Sequence, residues 1–185
     1  METITYLSMV ELEAGMEVIR QAPKDFGILR MIVRRPREDD RETVKEAELS
    51  LTEGLVGDNW KLRGNRHMPD GSANPQTQIT IMNARSTALV AQSEDRWPLA
   101  GDQLYVDLDL SDDNLPPGTH LAIGTAVLEI SPVPHTGCKK FSARFGVDAM
   151  KFVNTPEGKQ LHLRGINTRI VQAGTIHVGD VVRKL

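Results

Sequence analysis

A chain of 185 residues with 39% apolar side chains is long enough for one ordinary domain built on one buried core. Its 22 Lys and Arg stand against 25 Asp and Glu, a net charge of -3, which excludes a binder that draws its affinity from neutralising nucleic-acid phosphates. One cysteine excludes an intramolecular disulfide and a Cys-x-x-Cys zinc site, and no apolar run is long enough for a signal peptide or a membrane span. The expected setting is therefore the cytoplasm, with neither nucleic acid nor a membrane as partner.

In chain order, Leu12, Met16 and Ile19 recur at helical spacing, and residues 28–33 read as a strand. Residues 34–48 mix both charge signs with no apolar stripe and read as an exposed loop running into a surface helix. Residues 78–81 form the next strand, after which Asn83 is placed to cap a helix from 84 to about 92. Leu104, Val106, Leu108 and Leu110 alternate with Gln103, Tyr105, Asp107 and Asp109, the pattern of a half-buried strand with one wet face. Leu121 and Ile123, then Gly124-Thr125, then Ala126, Leu128 and Ile130 read as a hairpin whose turn uses the glycine. Short strands at 168–171, 176–178 and 181–182 complete the set. Many short strands, Gly/Pro turns and few helices predict a mainly β fold, a closed, mostly antiparallel barrel with helical insertions, because closure removes exposed edges.

Charge is spread unevenly along the chain. Residues 139–185 hold nine Lys and Arg against three Asp and Glu, while residues 1–138 hold 13 against 22, so the two parts carry +6 and -9. A basic C-terminal quarter either faces an anionic ligand or is a solvated rim, and the count leaves both open.

Chemistry concentrates around the single cysteine, in residues 132–146. Pro132 and Pro134 take the chain out of a strand, and Gly137 permits a sharp turn into a helix that begins just after Cys138. A thiol at such a corner feels the positive end of the helix together with Lys139 and Lys140, and both favour thiolate over thiol. A thiolate attacks sulfur or carbon electrophiles or ligates a soft metal; the competing reading is a small buried hydrophobe without chemistry. His135, three residues earlier, is a candidate base for Cys138, and the competing reading is a solvated turn histidine. Lys140 and Arg144, four apart and on one helix face, are candidates to clamp a phosphate, with Lys139 pointing elsewhere; a charged outer helix face is the alternative. Phe141 and Phe145 pack that helix onto the barrel. His67, His120, His162 and His177 show no ligand spacing, and no phosphate loop, nucleophile elbow or dinucleotide fingerprint is present.

The chain resembles a MOSC domain, the module named for the C-terminus of molybdenum cofactor sulfurase, in its small stand-alone bacterial form. The resemblance rests on Gly54-Leu55-Val56-Gly57-Asp58, Gln78-Ile79-Thr80-Ile81-Met82-Asn83, Gly101-Asp102-Gln103-Leu104 with Asp113-Asn114-Leu115, Gly118-Thr119-His120-Leu121-Ala122-Ile123-Gly124, the run from Leu128 to Cys138 with Ala143-Arg144-Phe145-Gly146, and Gly174 to Asp180. It implies one domain over 1–185, with a core from about 54 and residues 1–50 as an N-terminal strand and helix elaboration. It also implies a cysteine that ligates molybdenum in a pterin cofactor or carries persulfide sulfur, at the position of Cys138. Thr136 beside it and Lys139, Lys140 and Arg144 after it are the candidate contacts for the molybdenum cofactor, and His135 is, with Cys138, a catalytic candidate. Relatives reduce N-hydroxylated compounds or relay sulfur from a cysteine desulfurase, and pyridoxal phosphate would sit on that partner rather than here. A molybdoenzyme is the other implied partner, and residues 1–50 or a second copy of the chain would be needed to enclose the pocket. Many relatives carry Arg where His135 stands, Pro at Gly137 and Gly-Glu-Asn where Gly101-Asp102-Gln103 stands. A reading from a different class is a non-catalytic module that binds a small anion or a partner through its basic face, with Cys138 inert. A hydrolase using Cys138 and His135 is weaker, because no third group to orient the histidine is evident.

Overall fold

The computed structural model describes residues 4–185. Eleven strands are present among them: β1 (Gly27–Arg34), β2 (Glu42–Val44), β3 (Glu46–Ser50), β4 (Gly54–Leu55), β5 (Ile79–Asn83), β6 (Leu104–Asp107), β7 (His120–Ile123), β8 (Ala126–Ile130), β9 (Ile166–Gln172), β10 (Gly174–His177) and β11 (Val181–Lys184). The helices are α1 (Met9–Ala14), α2 (Met16–Arg20), α3 (Trp60–Arg63), α4 (Ala84–Ala91), α5 (Lys139–Phe145), α6 (Val147–Val153) and α7 (Pro156–Gln160). None is long and apolar enough to cross a membrane.

Seven strands close a barrel in the order β11-β7-β8-β9-β5-β6-β1, with β1 returning to β11. Every pairing in the ring is antiparallel except β5 with β6. That one parallel pair needs a crossover, which α4 and the 3-10 turn Glu94–Ala100 supply. Asn83 ends β5 and caps α4 by accepting from the backbone N–H groups of Arg85 and Ser86, as its side chain predicts. The β7–β8 hairpin also stands as read, pairing Ile123 with Ala126. Its Gly124 has φ of +55, and a Cβ there would stand 2.2 Å from the carbonyl oxygen of Thr175, so both conformation and space demand glycine. A second sheet, β10-β3-β4, lies beside the barrel.

The aliphatic bias of the sequence sorts itself by layer. The apolar cluster inside the barrel consists of Leu, Ile, Val and Ala, among them Leu29, Ile79, Ile81, Leu104, Val106, Leu121, Leu128 and Val182. Trp97, Tyr105, Phe141, Phe145 and Phe152 lie instead in a second core, between the outer face of β1, β5 and β6 and the helices. Phe141 and Phe145, each 1% exposed and with ring centroids 4.9 Å apart, anchor α5 there.

Three features differ from the sequence reading. The strand around Leu104 ends at Asp107 rather than running to Leu110, and the face read as wet is buried at Gln103 and Tyr105, whose hydroxyl donates to the Trp97 carbonyl at 2.8 Å, and partly exposed only at Asp107 and Asp109. Residues 34–48 form no helix: a loop over 35–41 leads into β2 and β3, and Arg35 is buried. Third, β1, read as part of an N-terminal elaboration, is an integral wall of the barrel between β6 and β11.

Candidate functional site

The site is built at one end of the barrel on two buried ion pairs. As β1 ends, Arg35 turns inward and donates through Nε and Nη2 to the two oxygens of Asp58, each at 2.8 Å. Its Nη1 reaches the carbonyl of Gly101 at 2.9 Å. Asp58 belongs to the tight turn after β4 and also accepts from the backbone N–H groups of Arg35 and Trp60. Across the cavity, Arg164 donates to Asp102 at 2.6 Å and to the carbonyl of Ala100 at 2.9 Å, with its guanidinium 5.0 Å from the centre of the Phe141 ring. Between the two pairs, Gln103 accepts from Thr80 and donates to Asp58 and to the Gln78 carbonyl. The Gly101-Asp102-Gln103 run thus fastens both arginines to the barrel rim.

Asp102 also receives His135, whose Nε2 lies 2.9 Å from its second oxygen. Burial by itself would raise the Asp102 pKa, but Arg164 and His135 outweigh it and hold the carboxyl at about 2. Burial and the Arg164 charge in turn lower the His135 pKa, so the ring is held in its neutral form despite the carboxylate. Asp102 thus holds His135 in place, and no hydrogen bond joins His135 to Cys138 among the described residues.

Between the pairs opens a cavity of about 750 Å³. Seven of its lining residues are cationic, Arg35, Arg37, Arg41, Arg63, Lys140, Arg144 and Arg164, and only Glu38 and Asp39 are acidic. Cys138 stands on its wall, exposed, in extended conformation immediately before α5 and making no capping hydrogen bond with its side chain. Lys140 and Arg144 sit on the cavity side of α5, as their spacing predicts. Both are engaged across the mouth: Lys140 with Glu38 at 2.9 Å, Arg144 with Asp39 at 2.8 Å and with the Leu99 carbonyl at 2.8 Å. Lys139 faces a separate shallow groove that Cys138 shares with Gly137, Ser142, Ala143 and Met150. Thr136 is exposed and lines neither space, whereas His135 lines the cavity while bonded to Asp102.

The sequence did not single out Arg35, Arg41, Arg63 or Arg164. Arg41 and Arg63 make no ion pair among the described residues. Burial and then the charges of Arg144 and Arg35 lower the Arg41 pKa, and burial and then Arg35 lower that of Arg63. The Nε of Arg41 and the side-chain oxygen of Asn59 are buried without a hydrogen-bond partner. No group of three or more His, Cys, Asp or Glu residues is placed to hold a metal ion among the described residues.

Several solved structures share the fold. The YuaD protein of Bacillus subtilis superimposes with a TM-score of 0.63 at 13% identity, over 85% of this chain and 94% of that one. YiiM of Escherichia coli gives 0.55 at 16% identity, over 85% and 69%. YiiM of Geobacillus stearothermophilus gives 0.53 at 15% identity, over 87% and 73%. No curated protein sequence matches the chain. The family model of the MOSC domain matches residues 69–183, the stretch that carries Asp102, His135, Cys138, Lys140, Arg144 and Arg164. The chain belongs to the MOSC domain family, which is associated with molybdenum cofactor sulfurase and related proteins.

Proposed function

We propose that this protein binds the molybdenum cofactor in the arginine-lined cavity and uses Cys138 either as the protein ligand to molybdenum or as a carrier of persulfide sulfur for it. The observation that carries the reading is the placement of the only cysteine on the wall of a cavity lined by seven cations and two carboxylates, in a MOSC domain. The residues fit such a group. Because no cluster of three such ligands is present among the described residues, a metal held by Cys138 would bring its remaining ligands with it, as a metal in an organic cofactor does. The unpartnered Nε of Arg41 and the excess of cations suit the phosphate end of the same molecule.

When bound, molybdenum would supply the two-electron chemistry that reduces an N-hydroxylated compound. The chain's own residues have simpler tasks. Cys138 anchors, Lys140 and Arg144 exchange Glu38 and Asp39 for ligand oxygens, and Asp102 keeps a neutral His135 facing the cavity, where it can give or take a proton. The persulfide alternative has its own support, since Cys138 also borders the shallow groove with Lys139 and Met150, open to a partner such as a cysteine desulfurase. Elemental analysis of protein purified from a host that makes molybdenum cofactor tests the reading. Molybdenum near one per chain, lost in Cys138→Ser, is expected for the ligand role, and one sulfur of added mass on Cys138 for the carrier role. Protein that retains neither molybdenum nor added sulfur would leave an anion-binding module with an inert cysteine.

A further inference from the structure

The chain between β1 and β2 is fixed at both ends and weakly held in the middle. Arg35 is locked at the base by Asp58, and its carbonyl accepts from the Asn59 N–H at 2.8 Å. At the other end Glu42 is in register with Arg34 in the β1–β2 ladder. Between them, residues 37–40 form a tight turn, closed by the Asp40 N–H donating to the Arg37 carbonyl at 3.2 Å. Asp39 takes the left-handed backbone conformation there, with φ of +59, which a short polar side chain tolerates. Two consecutive carboxylates, Glu38 and Asp39, therefore stand at the tip.

Those carboxylates make every polar contact that ties the tip down. Among the described residues, no backbone hydrogen bond of residues 36–40 leaves the loop, and their only ion pairs to the rest of the protein run from α5. Lys140 Nζ donates to Glu38 at 2.9 Å and to Asp39 at 3.4 Å, and Arg144 Nη2 donates to Asp39 at 2.8 Å. The loop lines one side of the cavity mouth and α5 the other, so these contacts span the opening. Their setting makes them weak: the Glu38 and Asp39 side chains are 81% and 60% exposed, and ion pairs open to water contribute little and are screened by salt. Firm hinges and a weakly held tip are what a strap needs in order to open without disturbing the barrel.

We propose that residues 37–40 are a strap latched across the cavity mouth by the chain's own carboxylates, and that it is released when an anionic ligand takes Lys140 and Arg144 from Glu38 and Asp39. The proposal rests on the reading of this cavity as the binding site and concerns access to it, not the identity of what binds. A neutral molecule has no charge to exchange for the two carboxylates and leaves the strap closed.

A nitroxide spin label on Arg37→Cys, in a Cys138→Ser background so that it sits on the only thiol, reports the motion of the tip. At low ionic strength the label should be immobilised, and Asp39→Asn, Lys140→Gln or about 0.5 M salt should each make it mobile. Saturating pyrophosphate, added at fixed ionic strength, should do the same. Calorimetric titration of pyrophosphate into the unlabelled protein measures the latch: Asp39→Asn should bind about three- to fivefold more tightly than wild type, the scale of one exposed ion pair. Asp40→Asn is the control, because it removes the same charge from the same turn but Asp40 holds Arg37 rather than a cation of α5, and its affinity should stay within about twofold of wild type. Equal label mobility in all variants overturns the proposal, as do equal gains in Asp39→Asn and Asp40→Asn, which would mean charge acting through space alone. A label that stays immobilised with pyrophosphate bound overturns it too, as does an absence of pyrophosphate binding in both wild type and Asp39→Asn. Protein that never carries molybdenum but shows the label response and the Asp39→Asn gain would sink the cofactor reading and leave the strap standing.

Discussion

Arg35 and Arg41 lie six residues apart and face the same cavity, yet they are handled in opposite ways. Arg35 is buried and fully satisfied: Asp58 grips it with two oxygens and the Gly101 carbonyl takes a third donor. Arg41 finds only one backbone carbonyl and makes no ion pair among the described residues, and the nearby charges of Arg144 and Arg35 act against it while that of Asp39 favours it. Arg164 is likewise buried against Asp102, though its Nε has no partner, while Arg63 is exposed and makes no ion pair among the described residues. The difference separates scaffold from binding surface: a paired buried charge holds the wall in place, and an unpaired one is available to a ligand.

Removing the partner of a scaffold arginine breaks that contrast most severely. Asp102→Ala leaves Arg164 buried without its carboxylate, and Asp58→Ala does the same to Arg35. Each should cost about 3–5 kcal/mol in denaturant unfolding. A loss below about 1 kcal/mol would mean that these pairs do not hold the rim.

A pH series gives the next largest effect. Asp102 is held at about 2 against an ordinary 3.8, so its contribution is fully present above pH 3.8 and is lost as pH falls towards 2. A shift of that size corresponds to about 2 kcal/mol. His135 adds in the same direction in a higher window. Its folded pKa lies below 6.5, so the unfolded chain takes up the proton first and stability falls as pH drops below about 6.5. In Asp102→Asn the acid loss assigned to Asp102 should disappear from the unfolding midpoint measured against pH.

Smaller still is Cys138→Ser. The side chain is exposed and bonds to no cap, so stability should change by less than about 0.5 kcal/mol while the proposed function is lost. Smallest is Glu38→Gln, whose contact with Lys140 joins two largely exposed side chains and should leave the unfolding midpoint where it was.

The barrel was legible because its aliphatic residues alternate. Leu121, Ile123, Ala126, Leu128 and Ile130 mark both arms of a hairpin, and the single glycine that its turn requires stands between them. The burial of Tyr105 was not legible, since which helices cover a strand is settled by topology rather than by its own period. In the site, Cys138, Lys140 and Arg144 could be read from one local run. The other arginines come from β1's end, the loop after it, α3 and the turn before β9, and no spacing rule links positions 35, 41, 63 and 164. Residues 34–48 misled for a physical reason: a segment of mixed charge looks solvated whether it faces water or a polar cavity.

The central claim is that Cys138 and the unpaired arginines belong to one site. The most direct measurement is the rate of Cys138 alkylation by iodoacetamide with and without saturating pyrophosphate, in wild type and in Arg41→Gln. Bound pyrophosphate should slow alkylation of the wild type and leave Arg41→Gln unaffected at the same concentration. An unchanged wild-type rate, with calorimetry showing the anion bound, would place it away from the cysteine and contradict the account.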